Sequence, residues 1–440
     1  MSVPLSNLYN WVESLLPDPA VLYVFHPHGS KKISNCNWLR DYDVSNVWRL
    51  PGVIMHDQEP LDWEYYNLPT LWSDVDILKK RNWPKSPFLL PRIHLFENFN
   101  LKSLMFIETS TAYDNVILVH SEKNSQDLSM YEQNGYVCVH YWAHAVIARD
   151  WFRFAKHDIA LNQIMPLTAK FLIYCRDWSH RREYRLKFLE LLVKKNLHHA
   201  SQTSVMHTNS EGVHFAQHKF DNPAFELDNP ELLTHISQNE FSSNVSATYD
   251  YLDFLTSEIS VVLETVFDGS RIHLTEKILR PIACGHPFIL VAGPGALEYL
   301  RSYGFKTFAP WIDESYDLEN NSLKRLEKIV QSMIQIQNLQ GQELRNFSKE
   351  IKQIAEFNKA HFFSDEFFNQ VKDELKNNLM QANQQVRKSR GKQYLKVLSL
   401  AKNCHLLDEI SMRQEKTQFV RQLRRSYPHD PTNPQKDPSV

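Results

Sequence analysis

Short apolar runs separated by polar, turn-forming segments occupy the first 150 residues. They lie at Val21–Phe25, Gly52–Met55, Asn115–His120 and Tyr136–Trp142. Apolar runs of this length bounded by turn signals are typical of strands buried in a sheet. We expect a helix over Ser125–Asn134, and strands that alternate with helices predict a parallel sheet. Residues 1–150 are therefore assigned to one α/β domain.

A second α/β series begins after residues 151–166, an aromatic and basic segment that we interpret as the crossing between two domains. The apolar run Phe171–Cys175 predicts the first strand of this series. A helix is expected over Tyr184–Asn196, because its apolar side chains recur at spacings of three and four. Residues 198–249 are polar and irregular in pattern, and no element is assigned to them.

The stretch Ile259–Phe308 has the complete pattern of a βαβα unit. The apolar run Ile259–Leu263 is followed by a break and then by a helix that carries Thr275-Glu276-Lys277 in its first turn and ends at Gly285. The apolar strand Phe288–Val291, a glycine-rich turn and a second short helix complete the unit. Units of this kind build doubly wound sheets, in which ligands bind outside the carboxyl ends of the strands.

The remainder of the chain is predicted to be helical. Long helices over 317–363 close a second domain that spans 167–365, a helical basic extension follows over 366–425, and 426–440 is disordered by composition. The last 60 residues carry 12 Lys and Arg against five Asp and Glu, or +7, which leaves 37 against 46, or −9, on the first 380. A basic tail on an acidic body indicates contact with an anionic membrane or a nucleic acid, or else a solvated helical surface.

Composition excludes several classes of protein. Hydrophobic residues make up 42% of the 440 residues and aromatic residues 12%, which suits two cored domains and is too apolar for a disordered chain. There is no run of about 18 apolar residues, so no membrane-spanning helix is predicted, and the first 20 residues do not have the pattern of a secretory signal. The five widely spaced cysteines predict free thiols in a reducing compartment, so we expect a cytoplasmic protein without a zinc site.

Charged residues follow the predicted strands of the second domain. They are Arg176, Arg181 and Arg182 after the first strand, Glu264 and Arg271 after the strand Ile259–Leu263, and Glu276 and Lys277 in the next helix. Arginine forks and a lysine beside a helix N-terminus are suited to a diphosphate, and a nearby carboxylate accepts hydrogen bonds from ribose hydroxyls. Each residue alone would be an ordinary surface charge, and Glu276 alone would complement the helix dipole. Their predicted convergence at one sheet edge favours a nucleotide diphosphate site.

The stretch Val261–Gly295, VVLETVFDGSRIHLTEKILRPIACGHPFILVAGPG, resembles the donor-binding signature of the α-1,3-fucosyltransferases, and the arginine-rich loop before Tyr184 resembles another element of that family. The resemblance covers about residues 165–310. It implies two Rossmann-like domains that face across a cleft (the GT-B architecture), GDP-fucose as donor, inversion at the anomeric carbon, and neither a cofactor nor a bound metal. It further implies that Glu264 and Glu276 hold the ribose or sugar, while Lys277 and one of Arg181 or Arg182 hold the diphosphate.

Departures from the family pattern leave the sugar open. Thr265 stands where the family has an asparagine, His273-Leu274 replaces the tyrosine before the Thr275-Glu276-Lys277 block, and Pro281 lies within the helix, where its missing N–H should produce a kink. The phrases HDQEPL and RPIACGHPFILVAGPGALEYLRSYGFKTF also resemble uncharacterised glycosyltransferase-like proteins of bacteria and tailed phages. A reductase is disfavoured, because GxGxxG follows neither predicted first strand.

An inverting transfer needs a base that takes the proton of the acceptor hydroxyl. Asp57 and Glu59 directly follow the predicted strand Gly52–Met55, so their carboxylates would lie at the cleft, with His56 as a further option. Alternatively, Asp57 caps the turn and Glu59 begins a surface helix. The predicted function is sugar transfer from a nucleotide diphosphate to a surface glycan, a lipid-linked sugar or a hydroxymethylated DNA base. A non-catalytic nucleotide- or sugar-binding module is the alternative.

Overall fold

In the part of the chain that the structure describes, two parallel four-stranded sheets form the framework. The computed structural model describes residues 21–24, 52–56, 116–125, 128–129, 132, 137–209, 212–238, 245–309 and 311–403. Over 386–403 it describes the helical backbone, and of the side chains there only that of Lys388. Within these residues every strand pair is parallel. The α/β class predicted from the sequence is confirmed, and the parallel sheets are compatible with a Rossmann-like fold.

The first sheet contains the four strands predicted from the apolar runs, with their ends shifted by at most two residues. They are β1 (Val21–Val24), β2 (Gly52–His56), β3 (Val116–His120) and β4 (Val137–His140), in that spatial order. A histidine ends each of the last three strands, and the register pairs His56 with His120 and His120 with His140. The helix predicted over Ser125–Asn134 lies largely outside the described residues.

The second sheet has the strand order β6-β5-β7-β8. Its strands are β5 (Ala169–Cys175), β6 (Ser201–Val205), β7 (Ser257–Leu263) and β8 (Phe288–Val291). Three of them match the predicted runs, while β6 falls in the stretch to which the sequence pattern assigned nothing. Because β5 pairs with both β6 and β7, the chain moves to one side of β5 and then to the other. This reversal makes the gap between β5 and β7 a topological switch point.

Helices cover the sheets and continue to the end of the described chain. They are α1 (Ala143–Trp151), α2 (Tyr184–Lys194), α3 (Tyr251–Thr256), α4 (Glu276–Cys284), α5 (Ala296–Ser302), α6 (Ser322–Gln337), α7 (Gly341–Phe362) and α8 (Asp365–Asn403). Helix α4 ends at Gly285, which adopts the left-handed φ of 72° that glycine tolerates best, as the sequence predicts. Helix α4 continues through Pro281. None of the helices described combines the length and apolarity needed to cross a bilayer.

Helix α8 returns from the second half of the chain to the first sheet. Its buried side chains Phe367, Val371, Leu375 and Leu379 recur every four residues and so form one apolar face. His140, at the end of β4, has two hydrogen-bond partners for its ring, and both belong to the second half of the protein. Its Nδ1 lies 3.0 Å from a Glu374 carboxylate oxygen of α8, and its Nε2 lies 3.0 Å from the Tyr299 hydroxyl of α5.

Candidate functional site

The carboxyl ends of β5 and β7 are the place where a doubly wound sheet binds ligands, because the chain leaves these two strands in opposite directions and opens a crevice. The loop after β5 and the loop that connects β7 to α4 border this crevice. Both loops carry charged residues that the sequence analysis selected. Their side chains differ in what they contact, and this decides which of them can meet a ligand.

Glu264 follows β7 and is completely buried beneath the start of α4. Its carboxylate accepts hydrogen bonds from the Thr275 backbone N–H at 3.0 Å, from the Thr275 hydroxyl at 2.7 Å and from the Thr265 N–H at 3.3 Å. Thr275 is the N-cap of α4, and its hydroxyl oxygen accepts the backbone N–H of Lys277. The structure therefore places Glu264 where it fixes the first turn of α4, with Lys277 in that turn.

Arg185, on α2, connects the ends of the two central strands. Its buried guanidinium donates to the carbonyl oxygens of Asp177, Leu263 and Glu264, the last two at 2.8 and 2.9 Å. The Tyr184 hydroxyl donates to the same Glu264 carbonyl. Charge-assisted hydrogen bonds are about twice as strong as neutral ones, so these contacts make the floor of the crevice rigid. Sequence reasoning missed Arg185, although a basic residue next to the apolar face of α2 was the available signal.

Lys277 is held in place beside the crevice by two contacts of its ammonium group. Its ammonium lies 2.9 Å from a Glu276 carboxylate oxygen and 3.3 Å from the Thr275 hydroxyl, and the side chain is only partly exposed. An ammonium has three N–H donors, of which these two contacts use two. Lys277 is therefore both positioned and able to donate to an anion.

The arginines of the loop after β5 lie on the other side of the crevice. Arg181 is exposed, and its guanidinium lies 3.8 Å from the carboxylate of Asp268, which belongs to the loop after β7. Arg182 contacts the Asp177 carboxylate at 2.7 Å. Burial alone would raise the pKa of Asp177, but Arg182 and the hydrogen bonds from Ser179 outweigh it and lower the pKa. Arg176 is exposed. Arg181 thus connects the loop after β5 to the loop after β7, whereas Arg182 contacts a carboxylate of its own loop.

A small pocket of about 30 Å³, partly open to solvent, lies between α4 and the sheet. Apolar side chains of β5 and β7, including Leu172 and Val262, form its walls, while Lys277 and Arg280 approach it from α4. The Arg280 guanidinium lies 4.4 Å from the centre of the Tyr174 ring, a cation–π contact. Sequence reasoning missed Tyr174 and Arg280, although Arg280 is three residues after Lys277 and so shares its helix face.

Glu276 is buried between α4 and α1. One carboxylate oxygen contacts Lys277, and the other lies 3.4 Å from Nδ1 of His144 on α1. Burial alone would raise the pKa of Glu276, but Lys277 and His144 outweigh it and hold the pKa well below its ordinary value. The ring of His144 meets that of His273 edge-on at 5.2 Å. Glu276 therefore contacts the half of the protein that contains the first sheet.

Arg271 also contacts that half. Its guanidinium nitrogen Nη1 lies 3.1 Å from both carboxylate oxygens of Glu122, which follows β3, and both side chains are buried. The next residue, Ile272, exchanges two backbone hydrogen bonds of 2.9 Å with Lys123. The structure thus places Arg271, which the sequence analysis assigned to donor binding, in a buried ion pair between the two halves. Asp57 and Glu59 lie outside the described residues, directly after β2.

Comparison with known protein families, with curated proteins and with solved structures gives no match for this chain. Within the described residues, no group of three or more His, Cys, Asp or Glu side chains is arranged to hold a metal ion. Functional inference therefore depends on the geometry of the crevice, its pocket and the cations beside it.

Proposed function

We propose that the protein is a glycosyltransferase that moves a sugar from a nucleotide diphosphate to an acceptor hydroxyl with inversion. The observation that carries the proposal is the position of Lys277, in the first turn of α4 and at the edge of a pocket beside the switch point. A GT-B arrangement, in which the two halves face each other across a cleft, is part of the proposal. Parallel sheets in both halves support it.

The pocket has room for only about one water molecule, so a nucleotide would lie across its mouth. There the Tyr174–Arg280 pair suits the flat base, because an aromatic ring and a guanidinium both stack on π systems. The diphosphate would accept hydrogen bonds from Lys277 at the positive end of α4, with Arg181 on the facing loop. Glu264 would act by positioning the first turn of α4. Arg176 would supplement the positive potential at the rim.

The chemical step requires a base on the acceptor side. In the proposed reaction, Asp57 or Glu59 takes the proton of the acceptor hydroxyl, and the oxygen attacks the anomeric carbon. The bond from that carbon to the diphosphate breaks, and its electron pair leaves with the nucleotide. Lys277 and the helix dipole stabilise the negative charge that develops on the leaving diphosphate. The strand β2 ends at His56, and Asp57 is the next residue in the sequence.

The acceptor is a surface glycan, a lipid-linked sugar or a hydroxymethylated DNA base. The basic C-terminal region would hold the protein near the phosphates of a membrane or nucleic acid, where such acceptors are found. The described cysteines Cys138, Cys175 and Cys284 are free thiols. Free thiols are typical of a reducing compartment, so a cytoplasmic location completes the proposal.

A thermal-shift panel of nucleotide sugars and nucleoside diphosphates tests the donor site. A ligand at 100 times its dissociation constant stabilises the folded state by about 2.7 kcal/mol, which raises the melting temperature measurably. Lys277→Ala should weaken binding of the stabilising nucleotide by about tenfold, because it removes a charged hydrogen bond. The exposed Lys324 is the matched control, and Lys324→Ala should bind as the wild type does. If no nucleotide stabilises the protein, the proposal is wrong.

A second experiment separates the enzyme from a non-catalytic binding module. Asp57→Ala and Glu59→Ala are compared with the wild type in donor consumption and in nucleotide affinity. Loss of consumption at unchanged affinity identifies the base. Unchanged consumption in both variants would refute this assignment, and nucleotide binding without consumption of any donor by the wild type would favour the binding module.

A further inference from the structure

The segment that connects the two halves exposes four large apolar side chains within 14 residues. Their exposed fractions are 67% for Phe154, 82% for Ile159, 96% for Ile164 and 57% for Leu167. We name these four side chains the crossing surface. Single exposed apolar residues are ordinary, but several on one short segment mark an interaction site more often than chance exposure.

Tertiary contacts hold this segment in place and keep the apolar side chains outward. Its two 3₁₀ turns span Arg153–Lys156 and Ile159–Asn162. The Asp158 carboxylate accepts the Ala160 N–H at 2.9 Å and the Tyr249 hydroxyl at 2.8 Å. The Thr168 N–H donates to the carbonyl of Thr256 at 2.8 Å. The contacts with Tyr249 and Thr256 attach the segment to α3 and to the residues just before it, so the crossing surface is presented by an ordered segment.

The exposed charges of this segment are positive. Arg153 and Lys156 are exposed, as is His157, whereas Asp158 is partly buried and bonded to Tyr249. Arg153 lies 3.3 Å from the largely buried Asp150, and its guanidinium covers the Phe154 ring at 4.4 Å. Cations interleaved with protruding Phe, Ile and Leu side chains are typical of segments that lie in a membrane interface.

We propose that the crossing surface docks on an anionic lipid bilayer. The apolar side chains protrude from two turns and the extended residues after them, which suits acyl chains that need no shape complementarity. A protein interface, in contrast, is packed as closely as a protein interior. The cations between them match the negative charge of anionic headgroups. The proposal is independent of the sugar transfer proposed above.

The position of the crossing surface is compatible with a working crevice. Leu167 lies two residues before β5, at the amino end of the strand, whereas the pocket lining runs from Leu172, in the middle of β5, to Tyr174 near its carboxyl end. The five residue steps from Leu167 to Leu172 span about 16 Å at roughly 3.3 Å per residue. A membrane at the amino edge of the second sheet would therefore leave the crevice open to donor and acceptor.

Co-sedimentation with extruded vesicles tests the proposal on the full-length protein. Vesicles of phosphatidylcholine alone are compared with vesicles of equal parts phosphatidylcholine and phosphatidylglycerol. We expect binding to the anionic vesicles, and a loss of about tenfold or more when all four side chains of the crossing surface are changed to serine. Lys156→Glu should weaken binding to the anionic vesicles only. Leu318, exposed to 77% outside this segment, provides the control, and Leu318→Ser should bind as the wild type does.

Three results would overturn the proposal. Equal vesicle binding by the wild type and the quadruple variant would assign the lipid contact to another part of the chain. Failure of the wild type to bind either vesicle would leave a protein partner as the occupant. A clearly lower melting temperature of the quadruple variant would show that these side chains pack against another segment of the chain, since truly exposed side chains change stability by less than about 0.5 kcal/mol.

Discussion

The buried pair of Arg271 and Glu122 makes a quantitative test of how the two halves are joined. Both guanidinium–carboxylate distances are 3.1 Å, and the side chains are 2% and 0% exposed. Arg271→Met removes the positive charge and leaves the Glu122 carboxylate in a buried environment without its arginine. Removal of one member of a buried pair typically costs 3–5 kcal/mol, so we expect the free energy of unfolding to fall by about 4 kcal/mol.

Urea denaturation followed by circular dichroism measures this loss, and a double-mutant cycle separates the pair from its surroundings. The variants are Arg271→Met, Glu122→Leu and the two together. The double variant should recover most of the stability, because replacement of both charges by apolar side chains removes the desolvation penalty as well as the attraction. Arg345 is exposed, and Arg345→Met should stay within about 0.5 kcal/mol of the wild type.

The reasoning is refuted if Arg271→Met costs less than about 1 kcal/mol or if the two single changes are simply additive. Nucleotide affinity, measured on the folded protein, distinguishes the two roles considered for this residue. A structural pair predicts affinity within about threefold of the wild type, or under 1 kcal/mol. Normal stability together with lost nucleotide binding would instead support the donor-binding role assigned from the sequence.

Three further predictions concern pH, capping and close packing in the second half. Burial lowers the pKa of His286 from 6.5 to about 4, so the stability that comes from its neutral form is fully present above pH 6.5. About 3 kcal/mol of the free energy of unfolding is therefore lost as the pH falls from 6.5 to 4. In urea denaturation at a series of pH values, His286→Gln should flatten this part of the stability curve. Thr275→Ala should cost about 1–2 kcal/mol by the same measurement and weaken nucleotide binding in calorimetry, whereas Thr275→Ser should retain both, since it keeps the capping hydroxyl. A Cβ on Gly293 would lie 2.6 Å from the Asp268 carbonyl oxygen, so Gly293→Ala should lower the melting temperature by the equivalent of about 1–3 kcal/mol, while Gly269→Ala, whose nearest contact is 3.7 Å, should not be destabilised by a clash.

In the second sheet, the strands β7 and β8, which are buried, were predictable from the sequence, and the half-buried strand β6 was not. All but one residue of β7 and all of β8 are buried, so their apolar runs stand out from the surroundings. In contrast, β6 is one of the two edge strands of its sheet, and the residues Ser201–Ser204 are polar and only half-buried. Its pairing with β5 supplies the stability that its own side chains do not, and such pairing leaves no apolar pattern in the sequence.

The candidate site was predictable in position but not in its contacts. Charges after β5 and β7 follow from where the apolar runs end, since carboxyl ends of parallel strands share one edge. The partner of Arg271 is 149 residues away in sequence, and Glu276 meets His144 of α1. Contacts at this separation depend on how the two halves pack, which a local pattern does not contain. The same limitation hid the return of α8 to the first sheet.

The contact between α8 and β4 has a consequence for folding during synthesis. His140 bonds to Glu374, which follows it by 234 residues. At about 5–20 residues per second, the ribosome needs roughly 12–47 s to add that length. For this interval the nascent chain holds β4 without the helix that later covers it, so its apolar surface is open to chaperones before release. The strands of the first sheet are therefore synthesised well before α8, the helix that covers β4.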